Sequence, residues 1–314
     1  STMGTTYTVT FVEKTISEAQ RANLRTVVFE ILDEVDQMMS HYREDSELSR
    51  FNQSQSTSPF LVSDAMLDVI EEALEISHLT GGAFDVTVGP LVDAWGFGSS
   101  GPVEVAPNLS EIEVLRHEVG YQHIEMNRTT SMLRKRRPGV QINLSAIAKG
   151  YGVDRVALAL ADAGIRDYLV EVGGEVRAHG MSDEERPWRV AIERPMPGAS
   201  AVHRVLKLTN SAVATSGEYR NFYDLQGVDV SHTIDPRSGF PVAHNLRSVS
   251  VVSSRCIFAD GLATALEVLG PDEGYAIALE NGWAALFIVE DKDGTLRDRS
   301  TPAFERIMEQ QWIN

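Results

Sequence analysis

The chain has 314 residues, 43% of them hydrophobic and 23% charged, enough for one large domain or two packed lobes with a real core. A formal net charge of −17 repels phosphate backbones, which argues against nucleic acid and makes any diphosphate ligand depend on a cation or on helix N-termini. No apolar run approaches the roughly 20 residues of a membrane-spanning helix, and the single cysteine, Cys256, excludes an intrachain disulfide and a cysteine metal cluster.

Ser1-Thr2-Met3-Gly4 leads straight into an alternating pattern with no signal-peptide signature, a start that a cleaved leader would also leave. Residues 5–12 read as a strand with Tyr7, Val9 and Phe11 on one face. Residues 17–39 read as a long amphipathic helix, with Leu24, Val28, Ile31, Leu32 and Val35 among its apolar positions. A polar loop is expected over 41–52. A second helix over 63–79 is capped by Ser63 or Asp64 and ends before Gly81-Gly82. Residues 83–101 form a glycine-interrupted segment, and 110–117 a short helix. Strands are expected at 122–126, 131–134 and 140–144, with Lys135-Arg136-Arg137 as a solvated hairpin turn before the last of them.

A helix over 150–163, stopped by Gly164, precedes a strand at 168–172. Further strands fall near 188–194, 202–208, 212–216, 222–224 and 246–252. Residues 255–269 read as a helix halted by Gly270-Pro271, and a helix at 272–281 and a strand at 284–289 complete the pattern. Strands in neighbouring runs pair readily as hairpins, so the expectation is α+β with antiparallel sheet rather than a doubly wound parallel sheet. No low-complexity linker divides the chain, and residues 1–314 read as one unit with two lobes.

Gly96-Phe97-Gly98-Ser99-Ser100-Gly101 matches the dinucleotide fingerprint G-x-G-x-x-G. Pro102-Val103-Glu104-Val105 follows where a helix should begin, so the segment is a loop. Asp260 and Thr264 stand four apart on one helix face and offer hard oxygens suited to Mg2+. An acidic residue at the helix dipole and a threonine bonded back to a carbonyl would give the same spacing. The run from Asn143 through Lys149 to Gly152 joins a strand end to a helix start. It is either an anion site built of exposed amides beside Lys149 or an ordinary connection with a surface lysine. His232 precedes the strong turn Asp235-Pro236-Arg237-Ser238-Gly239, and is either a structural histidine or a general base near neutral pH.

Taken in order, these blocks resemble the ApbE family of FAD:protein FMN transferases, from Met3-Gly4-Thr5 to about Gly270. The resemblance rests on Asp45-Ser46-Glu47-Leu48-Ser49-Arg50-Phe51-Asn52, Gly82-Ala83-Phe84-Asp85 and Asn143-Leu144-Ser145-Ala146-Ile147-Ala148-Lys149-Gly150. It continues through Val172-Gly173-Gly174-Glu175, Thr215-Ser216-Gly217, His232-Thr233-Ile234-Asp235-Pro236 and Ala259-Asp260-Gly261-Leu262-Ala263-Thr264.

The resemblance implies an α+β fold of two intertwined T-fold-like halves. It implies an enzyme that binds FAD with Mg2+, transfers FMN to a threonine of an acceptor protein and releases AMP. The acceptors expected are flavoprotein subunits of membrane redox complexes. By this likeness Asp260, Thr264 and the Ala146 carbonyl hold the metal, and Met3, Tyr42, Ala83, Phe84, Asp85, Asn143, Lys149 and Ile234 contact FAD. Tyr42 is expected to stack on the flavin ring and His232 to act as base toward the acceptor hydroxyl. The same site would serve FAD hydrolysis to FMN and AMP, or a non-catalytic flavin carrier. Asn143 stands where many relatives carry Asp. Relatives are usually lipoproteins on the periplasmic side of the bacterial inner membrane, and that placement is expected here, although no lipobox cysteine precedes Met3.

Overall fold

The computed structural model describes residues 3–13, 15–98, 101–196, 201–217, 222–225 and 228–310. The first half contains β1 (Tyr7–Phe11), α1 (Glu18–Met39), α2 (Glu47–Gln53), β2 (Phe60–Leu61), α3 (Asp64–Leu79), α4 (Gly89–Ala94), α5 (Leu109–Arg116), β3 (Ile124–Asn127) and β4 (Met132–Lys135). Then come α6 (Ala148–Asp162), β5 (Tyr168–Val172), β6 (Glu175–His179), β7 (Trp188–Glu193), β8 (Val202–Leu208) and β9 (Ser211–Gly217). The remainder is β10 (Phe222–Leu225), β11 (Val228–Ser231), β12 (Ile234–Asp235), β13 (Phe240–Pro241), β14 (Leu246–Ser253), α7 (Cys256–Glu280), β15 (Ala284–Glu290), β16 (Leu296–Ser300) and α8 (Pro302–Gln310).

The main sheet runs β1-β5-β6-β9-β14-β15-β16, and every neighbouring pair is antiparallel. The expected α+β class with antiparallel sheet is what the chain adopts. Alternation along the strands supplies both faces. Val249 and Val251 of β14 and Ala214 of β9 enter the core with α3 and α7. Their neighbours Val252 and Val213 point the other way, into a cluster with Trp188, Ile192, Leu206 and Leu208 of the β7–β8 hairpin and Phe304 of α8. Helices thus cover one face of the sheet, and a hairpin and the last helix cover the other.

Helix starts follow local chemistry. Ser17 and Gln20 form a capping box at α1, Asn108 and Glu111 another at α5, and Ser63 caps α3. The region expected as a polar loop holds α2, whose Ser46 accepts the Ser49 N–H at 2.9 Å. Within the glycine-interrupted segment, Pro90 stands in the first turn of α4, where its missing N–H costs no hydrogen bond. The helices expected on either side of Gly270-Pro271 form α7, which breaks at Gly270 (φ 76°, ψ −174°). The fingerprint-like run is non-helical at Gly96–Gly98 and Gly101, and Ser99 and Ser100 lie outside the described residues.

Two further expectations fail. Residues 140–144 form no strand, because β4 already has β3 and β2 on its two edges. Side chains hold that segment instead: Asn52 donates to the Ile142 carbonyl and accepts from the Ile142 N–H, both at 2.8 Å. Nor is Lys135 part of a solvated turn. It is 1% exposed, and its ammonium donates to backbone carbonyls.

Candidate active site

A cleft of about 870 Å3 opens where the first turns of α7, the start of α6, the β5–β6 turn and the end of β9 meet. The carboxylate of Asp260, in a residue 5% exposed, lines it and accepts the Gly150 N–H at 2.8 Å. Thr264, one turn along, also lines the cleft. Gly150 makes the approach of the two helices possible. A Cβ placed there would stand 2.5 Å from the Cys256 carbonyl oxygen and 2.7 Å from the Asp260 Cβ. Gly150→Ala therefore has to push α6 and α7 apart, and is expected to cost about 1–3 kcal/mol of stability. A thermal melt checks this; an unchanged melting temperature would refute the contact.

The start of α7 is held from outside the helix. Arg255 offers no side-chain cap, and Asp154 of α6 accepts the N–H groups of Cys256 and Ile257, each at 3.0 Å, while paired with Arg177. No sequence signal marks Asp154, because a cap supplied from 102 residues away leaves no local pattern.

Lys149 pairs with Glu175, which is 3% exposed. The turn before Glu175 needs positive φ at two successive residues, Gly173 (60°) and Gly174 (101°), and a Cβ on Gly173 would stand 3.0 Å from Lys149 Cδ. Two buried carboxylates, Asp260 and Glu175, thus share one ammonium. Burial and the Asp260 charge push Glu175 up to about 8, against the pull of Lys149. Asp260 is also raised by burial, although Lys149 and the Gly150 N–H oppose it. Burial pulls Lys149 down, but the charges of Asp260 and Glu175 outweigh that and raise it above the ordinary lysine value. Glu175 received no role from the sequence, although its Gly-Gly-Glu block carried part of the family resemblance.

Of the residues singled out in the sequence, Tyr42, Ala83, Phe84, Asp85, Asn143 and Ala146 all line the cleft. So do Lys149, His232, Ile234, Asp260 and Thr264. Met3 is outside that lining and packs against the main core, near Gly152. Asp85 is turned to its own neighbourhood, accepting from the Thr87 N–H and hydroxyl and from the Tyr121 N–H. Asn143 donates its backbone N–H to the Val86 carbonyl at 2.6 Å, and its side-chain oxygen accepts from the Ser145 N–H at 2.9 Å. This local turn presents Ser145 and Ala146 to the cleft.

Tyr42 stands on the lip, 66% exposed, with its ring 3.9 Å from that of His41. His232 sits between β11 and β12, half-buried, with Phe97 edge-on at 6.2 Å between ring centroids. The turn after it is rigid: Asp235 accepts from the Arg237 backbone and guanidinium, and Trp95 donates to the Gly239 carbonyl at 2.9 Å.

The arrangement defines a cleft able to hold an extended polyanion, with one ammonium and a set of oxygen donors at its base. A sequence model of the ApbE family matches residues 3–287, and the chain belongs to that family. The chain is similar to the FAD:protein FMN transferase of Vibrio cholerae, 44% identical over 293 residues that span 93% of this chain and 87% of that protein. It is similar to the FAD:protein FMN transferase of Escherichia coli, 38% identical over 93% of this chain and 84% of that one. In structure it resembles a histidine-to-glycine variant of the flavin transferase ApbE from Vibrio cholerae. The TM-score is 0.89 at 42% identity, covering 98% of this chain and 97% of that chain.

Proposed function

We propose that this chain is an FAD:protein FMN transferase that passes FMN from FAD to a threonine hydroxyl of an acceptor protein, with Mg2+, and releases AMP. The observation that carries the reading is the base of the cleft, where Asp260, Thr264, the Ala146 segment and Lys149 converge. The residues present suit a magnesium ion. Among the described residues no group of three or more His, Cys, Asp or Glu side chains surrounds a common point. The donors are one carboxylate, one hydroxyl and one carbonyl, a set that leaves positions for water and phosphate oxygens, as Mg2+ prefers.

Asp260, Thr264 and the Ala146 carbonyl would hold the magnesium ion, which would supply positive charge against the pyrophosphate as AMP departs. The chain's own groups supply the rest. Lys149, kept protonated by its two carboxylates, offsets phosphate charge at the base of the cleft. Tyr42 offers a flat face at the lip for the isoalloxazine ring. His232 takes the proton of the acceptor hydroxyl as its oxygen bonds to the flavin-side phosphorus. The bond from that phosphorus to the bridging oxygen breaks, and AMP leaves with the electron pair. By the same reading the acceptors are flavin-carrying subunits of membrane redox complexes, met at the periplasmic face of the inner membrane.

Incubation with FAD, Mg2+ and an acceptor domain containing the threonine tests this directly. Mass spectrometry is expected to show one added FMN on the acceptor, with equimolar AMP. Free FMN and AMP with an unmodified acceptor would instead show hydrolysis, and FAD retained intact would show a carrier.

A further inference from the structure

Lys135 ends β4 at a fully buried position, with no carboxylate paired to it among the described residues. Its ammonium has three N–H donors and meets three backbone carbonyls: Asn52 at 3.1 Å, Val140 at 3.1 Å and Pro138 at 3.4 Å. The charge also lies 5.1 Å from the centroid of the Phe51 ring. Burial lowers its pKa, and among the described residues carbonyl dipoles and a ring face are what meet the charge. Burying a lysine in this way is costly unless the groups it holds need holding.

The groups held are informative. Two of the carbonyls belong to the irregular segment after β4, which has no strand partner among the described residues, and the third to the last turn of α2. Asn52 continues the clamp with its paired bonds to Ile142, and Asn143 closes it with its N–H to Val86. Immediately beyond come Ser145 and Ala146, which line the cleft, and then α6 with Lys149. We infer that Lys135 is a positioning residue: its three carbonyl bonds set the path of residues 138–146 and thereby the placement of the Ala146 carbonyl and Asn143 in the cleft. The inference rests on the proposed FAD and Mg2+ reading for its functional consequence, though not for the clamp itself.

The test compares Lys135→Met, which keeps the length and removes the donors, with Leu133→Ala on the same strand. Leu133 is 1% exposed in the apolar cluster that also holds Val140 and Ile142, and its side chain donates no hydrogen bond, so its truncation reports a packing defect beside the same segment without removing a donor. Hydrogen exchange on the FAD-free proteins is expected to speed up over 138–146 in Lys135→Met, and not in Leu133→Ala at matched distance below the melting temperature. The apparent affinity for Mg2+, read from the KM for metal at saturating FAD, is expected to weaken about tenfold or more in Lys135→Met with a smaller change in kcat. Should Lys135→Met not fold, Lys135→Gln, which retains two donors, is read in the same way. Unchanged exchange over 138–146, or equal KM shifts in the Lys135 and Leu133 variants, would overturn the assignment. If the wild-type protein bound no FAD, the functional reading would fall, while the exchange comparison would still decide the clamp.

Discussion

Asp260→Asn is expected to lower Mg2+-dependent FMN transfer by roughly two to three orders of magnitude at limiting metal, the scale of losing one preorganised charge contact in a dry site. The fold is expected to survive the change. An asparagine oxygen can still accept the Gly150 N–H, and the substitution removes a buried carboxylate whose charge opposes ionisation of Glu175. A melt without metal should therefore be unchanged or slightly higher. Normal turnover of Asp260→Asn at limiting Mg2+ would remove Asp260 from the metal site, whatever the melt showed.

The second large effect is expected at the histidine. His232→Ala should reduce kcat by about 10²–10⁴, the usual contribution of a positioned general base, with FAD affinity close to that of the wild type. Binding is measured separately, by fluorescence of the flavin, so that loss of the site is not mistaken for loss of the base. Transfer at the wild-type rate would exclude His232 from proton removal. A parallel loss of affinity and rate would make it part of the binding wall beside Phe97 instead.

Much of this was legible in the chain. Caps and breakers placed the helices: Ser17, Ser63 and Gly164 act locally, so their neighbours announce them. The antiparallel sheet followed from strands arriving in runs, and the cleft residues followed from ordered motifs. What escaped was long-range. Residues 140–144 have the apolar character of a strand, yet no edge of β4 was left for them. Lys135 sits in a basic triplet that looks solvated, and only the convergence of Asn52, Pro138 and Val140 shows why it is buried. Asp154 resembles any polar residue on a helix until Cys256 and Ile257 are brought to it. Pattern reports which face a residue prefers; it does not report which distant backbone waits there.

The bond from the Gly150 N–H to Asp260 joins residues 110 positions apart, and the Asp154 cap on α7 spans a similar distance. During synthesis, then, Lys149 and Glu175 emerge well before the carboxylate and helix that complete their surroundings. Contacts of such separation form late, after the loop between them has closed. A nascent chain released before α7 has the lysine but not its second anion, and none of the paired Asp260–Thr264 oxygens. The floor of the cleft is thus completed only once α7 has been made and has docked against α6.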